Sequence, residues 1–170
     1  RDNIRLDDFL GLKHAIKTAK VPTLSEIILG LPGETQETHF DTINQLMTSE
    51  IENVIPYTLM LLNGSEMATP AQREMWGFET KFRVLPRDFS RMKNGENVIE
   101  IEEVVVATNT LPYEDYVQCR KMALLISIFN TIGFRAIQKL FLQNHIPPMA
   151  LFTSLLESAK SLPEADDSQK

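Results

Sequence analysis

The strongest constraint on the fold of this chain is a short turn that joins an apolar segment directly to a helix. Residues 24–29 are almost continuously apolar, which predicts a strand buried on both faces. The run Gly30-Leu31-Pro32-Gly33 follows at once, and Glu34 or Thr35 then caps the next helix. Flexible backbone thus lies at the carboxyl end of a parallel-type strand, where α/β folds bind small molecules. The same residues also fit a tight connection that binds nothing, and the pattern alone leaves both interpretations open.

Helices and strands alternate around this corner. The acidic residues Asp7 and Asp8 begin a helix that ends before Pro22, and a second helix follows the corner. Residues 54–62 form a second buried strand, which contains Pro56. This order is a βαβ rhythm and predicts two parallel strands. The apolar positions are Phe9, Leu10, Leu12, Ala15, Ile16 and Ala19 in the first helix, and Phe40, Ile43, Leu46 and Met47 in the second.

The pattern changes after residue 65. Apolar and polar residues alternate over 78–85, which predicts a half-exposed strand, and residues 98–108 predict another. Asn94-Gly95 is a turn signal between them. The segment 86–93 is long and polar for a tight hairpin, which argues against direct pairing of these two strands.

From residue 111 onward the pattern is helical. Pro112 suits the first turn of a helix that runs to about Thr131 and ends at Gly133. Residues 134–143 form a second helix, and Pro147 opens a third.

Composition narrows the class of protein. A length of 170 residues and a hydrophobic content of 43% suit a globular protein of about one domain. A formal net charge of −6 argues against a general nucleic-acid surface, and the longest apolar run falls short of the roughly 18–20 residues that span a bilayer. The single cysteine fits a reducing compartment, so we expect a cytoplasmic protein. The chain begins with Arg1 rather than methionine, which favours a piece of a longer protein.

No motif assigns a catalytic residue or a metal ligand. Gly33 is not followed by the Lys-Ser or Lys-Thr of a phosphate-binding loop, and Gly-x-Gly-x-x-Gly is absent. The histidines at positions 14, 39 and 145 are far apart in sequence and are expected to be surface or hydrogen-bonded side chains. Cys119 is expected to be a packed thiol.

Two further groups admit a functional interpretation beside a structural one. Glu100, Glu102 and Glu103 could together hold a cation, although a solvated strand face is favoured. Trp76 could stack on a base or a sugar, although a core anchor is favoured.

Together these residues resemble a known family. The string Ser-Glu-Ile-Ile-Leu-Gly-Leu-Pro-Gly-Glu-Thr at 25–35, Val-Ile-Pro-Tyr-Thr-Leu at 54–59 and Asn-Gly-Ser-Glu-Met at 63–67 are similar to the second half of a radical SAM domain. The similarity is to the enzymes that carry an amino-terminal cobalamin-binding domain. It divides the chain into a partial barrel at 1–70, a carboxyl-terminal extension of strands and helices at 71–162, and a disordered acidic tail at 163–170.

The resemblance implies an α/β fold that is part of a (β/α)6 barrel. It implies a [4Fe–4S] cluster and S-adenosylmethionine (SAM), which together yield a 5′-deoxyadenosyl radical, or methyl transfer with cobalamin. It also implies that Arg1 reaches the SAM carboxylate. The residues implied at the adenine pocket are Ile28, Gly30, Leu31, Pro32, Tyr57 and Leu59.

The chain departs from the family pattern in two respects. In the Gly-x-Ile-x-Gly-x-x-Glu pattern, Glu26 replaces the first glycine and Glu34 falls one residue late, so Glu34 is interpreted as a cap. The Cys-x-x-x-Cys-x-x-Cys motif is absent, and Cys119 alone cannot hold a [4Fe–4S] cluster. We therefore expect this chain alone to be inactive and to hold none of these cofactors firmly.

The expected partners are the missing amino-terminal half of the barrel and a small-molecule substrate, with no nucleic acid and no membrane. The exposed barrel edge also predicts self-association. Two alternatives remain. One is a non-catalytic module that binds a partner through the helix at 112–131, whose apolar face is Tyr116, Met122, Leu124, Leu125, Ile128 and Phe129. The other is a standalone small-molecule-binding protein that uses the Gly30 corner.

Overall fold

A computed structural model describes residues 8, 11, 15, 18, 19, 21–49, 51, 53–129 and 132–160. The chain is α/β. Its strands are β1 (Leu24–Leu29), β2 (Asn53–Thr58), β3 (Glu79–Arg91) and β4 (Asn97–Ala107). Its helices are α1 (Gln36–Thr48), α2 (Pro70–Trp76), α3 (Tyr113–Phe129), α4 (Ile132–Gln143) and α5 (Pro148–Lys160), with a short 3₁₀ turn at Glu66–Ala68.

Strands β1 and β2 are parallel, as predicted. The N–H of Asn53 donates to the carbonyl of Thr23 (3.1 Å), and the N–H of Leu59 donates to the carbonyl of Leu29 (2.8 Å). Both strands therefore advance in the same direction between the two bonds, and α1 is the connection between them. The corner at Gly30 and the end of β2 consequently lie at the same edge of the sheet.

The predicted burial of β1 on both faces is wrong for one face. Leu29 is 1% exposed, whereas Leu24 is 55% exposed and Ile28 is 44% exposed. Strand β2 repeats the pattern, because Thr58 is 3% exposed and Tyr57 is 46% exposed. Since successive side chains point to opposite faces of a strand, this sheet has one packed face and one open face, on which exposed Glu26 lies between Leu24 and Ile28.

Strands β3 and β4 pair directly in an antiparallel ladder, which corrects the prediction that they would not. The segment judged too long for a hairpin belongs to β3, which continues to Arg91. The turn is tight: the N–H of Met92 donates to the carbonyl of Glu96 (2.7 Å), and Gly95 has a φ of 89°. The register shifts between Val84 and Phe89, so the ladder is irregular there.

The residues directly after β2 connect the two sheets. The N–H of Val105 donates to the carbonyl of Leu59 (2.9 Å), and the N–H of Leu61 donates to the carbonyl of Glu103 (3.0 Å). Leu59 thus bonds to β1 with its N–H and to β4 with its carbonyl. Leu59, Leu61 and Val105 form a buried cluster covered by Met67, Ala68 and Phe78.

The three predicted carboxyl-terminal helices are present. Helix α3 ends at Phe129, and Gly133 lies inside α4 rather than ending α3. Phe129 and Phe134 lie with their ring centroids 4.2 Å apart, and Phe152 of α5 lies within 6.3 Å of both rings. Aromatic contacts therefore join the three helices.

The predicted opening helix is described at five positions, 8, 11, 15, 18 and 19, and all five are helical and exposed. Arg1 and the tail 163–170 lie outside the described residues. The chain divides into two compact units: residues 1–26, 40–55 and 120–170, and residues 27–39 and 56–119. The domain boundaries at 70 and 162 remain a prediction. Among the described residues, no helix is long and apolar enough to cross a membrane, and the cytoplasmic location remains a prediction.

Candidate functional site

The corner after β1 is a turn whose backbone requires glycine. Gly30 has a φ of 92° and Gly33 a φ of 80°, values that side-chain-bearing residues rarely adopt. The N–H of Glu34 donates to the carbonyl of Leu31 (3.1 Å) and closes the turn. Gly30 is buried, and a Cβ there would lie 3.7 Å from Val105 Cγ1 and 3.8 Å from Leu59 Cβ. The corner therefore lies directly against the cluster that connects the sheets.

Glu34 is not the helix cap that the sequence predicts. Its Oε2 accepts the N–H of Gly30 at 2.6 Å, and its Oε1 lies 2.7 Å from Nδ1 of His39. The carboxylate thus ties the first residue of the turn to the first turn of α1. Hydrogen bonds to a carboxylate are among the stronger ones in proteins, so Glu34 holds the turn in a single shape.

Of the two environments expected for His39, surface or hydrogen-bonded, the structure shows the second: the side chain is buried and hydrogen-bonded at Nδ1. It is 1% exposed, with Nδ1 held by Glu34. Its Nε2 is buried without a hydrogen-bond partner among the described residues. Burying a polar atom without a hydrogen-bond partner costs free energy. The bond from Nδ1 to Glu34 is therefore the contact that stabilises this buried imidazole.

The helix cap is Thr35. The hydroxyl of Thr35 accepts the N–H of Thr38 (3.2 Å), and the hydroxyl of Thr38 accepts the N–H of Thr35 (2.9 Å). This is the reciprocal pattern of a capping box, with threonine in place of glutamate. Because the cap engages these donors internally, the start of α1 offers fewer free N–H groups to an anion than its sequence suggests.

A distant segment also fixes the corner. The hydroxyl of Thr110 donates to the carbonyl of Glu34 at 2.7 Å, across 76 residues of sequence. Thr108 precedes it and accepts the N–H of Leu111 on its own hydroxyl (3.0 Å), which shapes the entry to α3. No spacing rule pairs Thr110 with Glu34, so the sequence carries no signal for this contact.

The structure brings the candidate adenine-pocket residues to one edge of the sheet. Ile28 and Tyr57 lie on its open face, on neighbouring strands, close to the bond between Leu59 and Leu29. Leu31 is 39% exposed in the turn. Pro32 is half-buried, while Gly30 and Leu59 are buried and contribute backbone rather than side chain. Arg1, the implied carboxylate contact, lies outside the described residues.

The three glutamates of β4 do not converge. Glu103 accepts two bonds from the guanidinium of Arg73 (2.6 and 2.7 Å) and one from the hydroxyl of Thr80 (2.6 Å). Glu102 pairs with Arg83 on the opposite face of the strand. Among the described residues no group of His, Cys, Asp and Glu is placed to hold a metal ion. The structure therefore corrects the cation-site alternative in favour of ion pairs.

The ion pair also shifts the pKa of the Glu103 carboxylate. The bonds from Arg73, then that from Thr80, lower the pKa of Glu103 from its ordinary 4.5 to about 2. The same contact raises the pKa of Arg73. A bidentate Arg–carboxylate pair fixes direction as well as distance, so it joins α2 to the base of the β3–β4 hairpin.

Cys119 and Trp76 have structural roles. Cys119 is fully buried, and burial, followed by the charges of Glu34 and Asp115, raises the pKa of its thiol to about 12. Such a thiol is neither a nucleophile nor a cluster ligand at neutral pH. Trp76 is half-buried, and its indole N–H donates to Gln72 Oε1 at 2.8 Å.

Two known proteins are similar to this chain in sequence, although no family profile matches it. The cobalamin-dependent radical SAM methyltransferase TokK of Streptomyces tokunonensis is 30% identical over 121 residues, which are 69% of this chain and 17% of that protein. The 2-(S-pantetheinyl)-carbapenam-3-carboxylate methyltransferase of Streptantibioticus cattleyicolor is 26% identical over 122 residues, which are 70% of this chain and 17% of that protein.

These relatives confirm the resemblance that the Gly30 corner predicts. The chain is related to the cobalamin-associated radical SAM enzymes, and the relatives named above are methyltransferases. The match spans 17% of the length of either relative.

Proposed function

We propose that this chain supplies the adenine side of the SAM site in a cobalamin-dependent radical SAM methyltransferase. The observation that carries the proposal is the shared edge of β1 and β2, where Ile28 and Tyr57 are exposed beside the Gly30 turn. In a parallel sheet this edge is the ordinary place for a small ligand. The sequence relation to two methyltransferases supports the same assignment.

The residues present suit an adenine ring. Ile28 and Tyr57 offer an aliphatic and an aromatic side chain, 44% and 46% exposed, on which a flat base can pack. Gly30 lacks a side chain, so its backbone can approach a ligand closely. Its N–H is engaged by Glu34, so Gly30 would contact a ligand through its carbonyl and Cα alone.

The residues present do not suit the iron–sulfur cluster, which needs three or four thiolates. Other parts of a longer protein would hold the cluster and cobalamin. A cluster held there would supply radical chemistry with SAM, and cobalamin would supply methyl-transfer chemistry. The role of this chain is to orient the adenine end of SAM and to exclude water from it.

The proposal includes a (β/α)6 barrel. Within the described residues β1 pairs with β2 alone, and the side of β1 away from β2 can pair with a further strand. We propose that the amino-terminal half of the barrel pairs with this side of β1 and covers the open face of the sheet. Without that half, the unpaired side of β1 would support self-association.

The test compares SAM binding by two variants of the complete polypeptide that the gene encodes. Ile28→Ser removes a proposed adenine contact. Leu24→Ser is the matched control, because residue 24 lies on the same face of β1 but about 13 Å further from the corner. We expect calorimetry to show SAM binding at least tenfold weaker for Ile28→Ser and unchanged for Leu24→Ser, with both variants folded by circular dichroism. Equal affinities for the two variants would reject the proposal.

One observation favours the alternative of a non-catalytic module. Leu124 and Ile128, one turn apart on α3, are 60% and 56% exposed. Such a pair suits docking of a partner helix. The gene decides between the two candidates: a Cys-x-x-x-Cys-x-x-Cys motif upstream of Arg1 supports the enzyme, and a gene that starts near Arg1 supports the module.

A further inference from the structure

The β3–β4 hairpin carries an apolar face that nothing described in the chain covers. Cross-strand partners lie on the same face of a ladder, and the register places Val84 opposite Ile101 and Phe89 opposite Ile99. Phe82 shares this face, because it lies two residues from Val84. The five side chains form one strip, which we call the hairpin strip. Their exposed fractions are 68% for Phe82, 60% for Val84, 75% for Phe89, 58% for Ile99 and 57% for Ile101.

The opposite face of the same hairpin is more polar. It carries Lys81, which is exposed, and the ion pair between Arg83 and Glu102, together with Val98, which is 45% exposed. A solvated hairpin needs one packed face and one polar face. Here the polar face is already suited to water, whereas the face that should be packed is the one left open.

The hairpin strip is continuous with the buried core. Along β4 the same face runs from Ile99 and Ile101 through Glu103 to Val105, which is fully buried. Glu103 is neutralised by Arg73, so no free charge separates the strip from the core. The strip thus continues the buried core outward along β4, and no described residue packs on it.

We propose that a further segment of the same polypeptide, with an apolar face of its own, covers the hairpin strip in the complete protein. Two observations select this occupant. The relatives have most of their length outside the matched region, which spans 17% of each. The strip lacks the charged residues that transient interfaces keep and resembles the interior of an obligate one.

The test measures side-chain accessibility in the 170-residue chain and in the complete polypeptide that the gene encodes. Ile99→Cys reports on the strip, and Glu100→Cys, the next residue of β4, reports on the opposite face. Each variant is labelled with a maleimide, and the labelled peptide is quantified by mass spectrometry, so other cysteines do not interfere. Cys119 is an internal buried reference.

We expect both positions to react at similar rates in the 170-residue chain. In the complete polypeptide we expect residue 99 to react at least tenfold more slowly and residue 100 at an unchanged rate. Hydroxyl-radical footprinting of Phe82 and Phe89 in the unsubstituted proteins gives the same comparison without a mutation that itself weakens packing. Protection of the two phenylalanines in the complete polypeptide alone is the expected result.

Three outcomes would overturn the proposal: equal labelling at residue 99 in the two proteins, equal protection at residues 99 and 100, or a gene that encodes nothing beyond this chain. Protection that appears in the 170-residue chain and grows with its concentration would identify a second copy as the occupant instead. The readouts need no SAM, cluster or cobalamin. They therefore stand apart from the proposed function, which can fail on SAM binding while the strip is still covered.

Discussion

At the scale of single residues, the Gly30 corner is held by contacts that its own loop provides. Glu34 accepts the N–H of Gly30 and contacts His39, while Thr35 and Thr38 cap the following helix. The acid next to a glycine-rich turn therefore acts on the protein backbone and not on a ligand. The shape of the turn is therefore fixed by contacts within the protein itself.

The residue-scale prediction concerns Glu34. Replacing it with alanine leaves the N–H of Gly30 and Nδ1 of His39 without their partner in a largely buried environment. We expect Glu34→Ala to lower the free energy of unfolding by about 1–3 kcal/mol. Urea denaturation followed by circular dichroism measures the change. Glu100→Ala removes an exposed carboxylate and should change the value by less than about 0.5 kcal/mol; a Glu34 variant as stable as this control would show that the contacts contribute nothing.

At the scale of secondary-structure elements, the connection between α2 and the hairpin is electrostatic. Arg73 reaches from α2 to Glu103 of β4, and Thr80 of β3 adds a third bond. Because these bonds favour the ionised carboxylate, the pKa of Glu103 is lower in the folded than in the unfolded chain. The connection is consequently sensitive to acid.

The element-scale prediction is a pH dependence with a defined sign. A group whose folded pKa is depressed stabilises the protein above its unfolded pKa, and this contribution is lost as the pH falls. For Glu103 the loss runs from the ordinary pKa of 4.5 down to about 2. We expect the urea midpoint of the natural chain to fall in this window, and that of Glu103→Gln to start lower and to fall less. Glu100→Gln should follow the natural chain; a Glu103→Gln curve parallel to both would exclude the ion pair as the cause.

At the scale of the whole molecule, some faces of the sheets are packed and others are exposed to solvent. The open face of β1 and β2 and the hairpin strip both carry exposed apolar side chains. The two relatives contain several times as much polypeptide as the region that they share with this chain. These are the two faces that we propose to be covered by further polypeptide.

The whole-molecule prediction concerns the iron–sulfur cluster. We expect anaerobic reconstitution of the 170-residue chain with iron and sulfide to give no stable cluster, since its single cysteine is fully buried with the pKa of its thiol raised to about 12. The visible absorption spectrum after desalting measures this. The complete polypeptide treated in parallel is the positive control. A stable cluster on the short chain would contradict our interpretation of Cys119.

Much of the fold could be predicted because its signals are local. The glycines of the turn and the approximate positions of α3 to α5 follow from backbone geometry and helical periodicity, which act over a few residues. The parallel pairing of β1 and β2 follows from the connection rule for βαβ units. The long hairpin was missed because a polar, proline-containing segment can continue a strand when an irregular register accommodates it.

The assignment of the candidate site residues to an adenine pocket stays a prediction, and the structure tests only where these residues lie. Ile28, Gly30 and Tyr57 reach one edge because two strands end there, a consequence of topology that the sequence already indicates. His39 and Thr110 were not identified, since their partners depend on how separate segments meet.

The sequence by itself determined the turn, the helices α1 and α3 to α5 in outline, and the family relation, because each depends on residues close together in the chain or on an aligned string. Only the tertiary structure decided which apolar faces are packed and which are open, and which carboxylates are paired. Burial and ion pairing depend on residues far apart in sequence, and hydrophobicity alone does not reveal whether a covering surface is present. The hairpin strip illustrates the difference. The alternation of apolar and polar residues in β3 predicts a face that is packed, whereas in the structure this face is exposed.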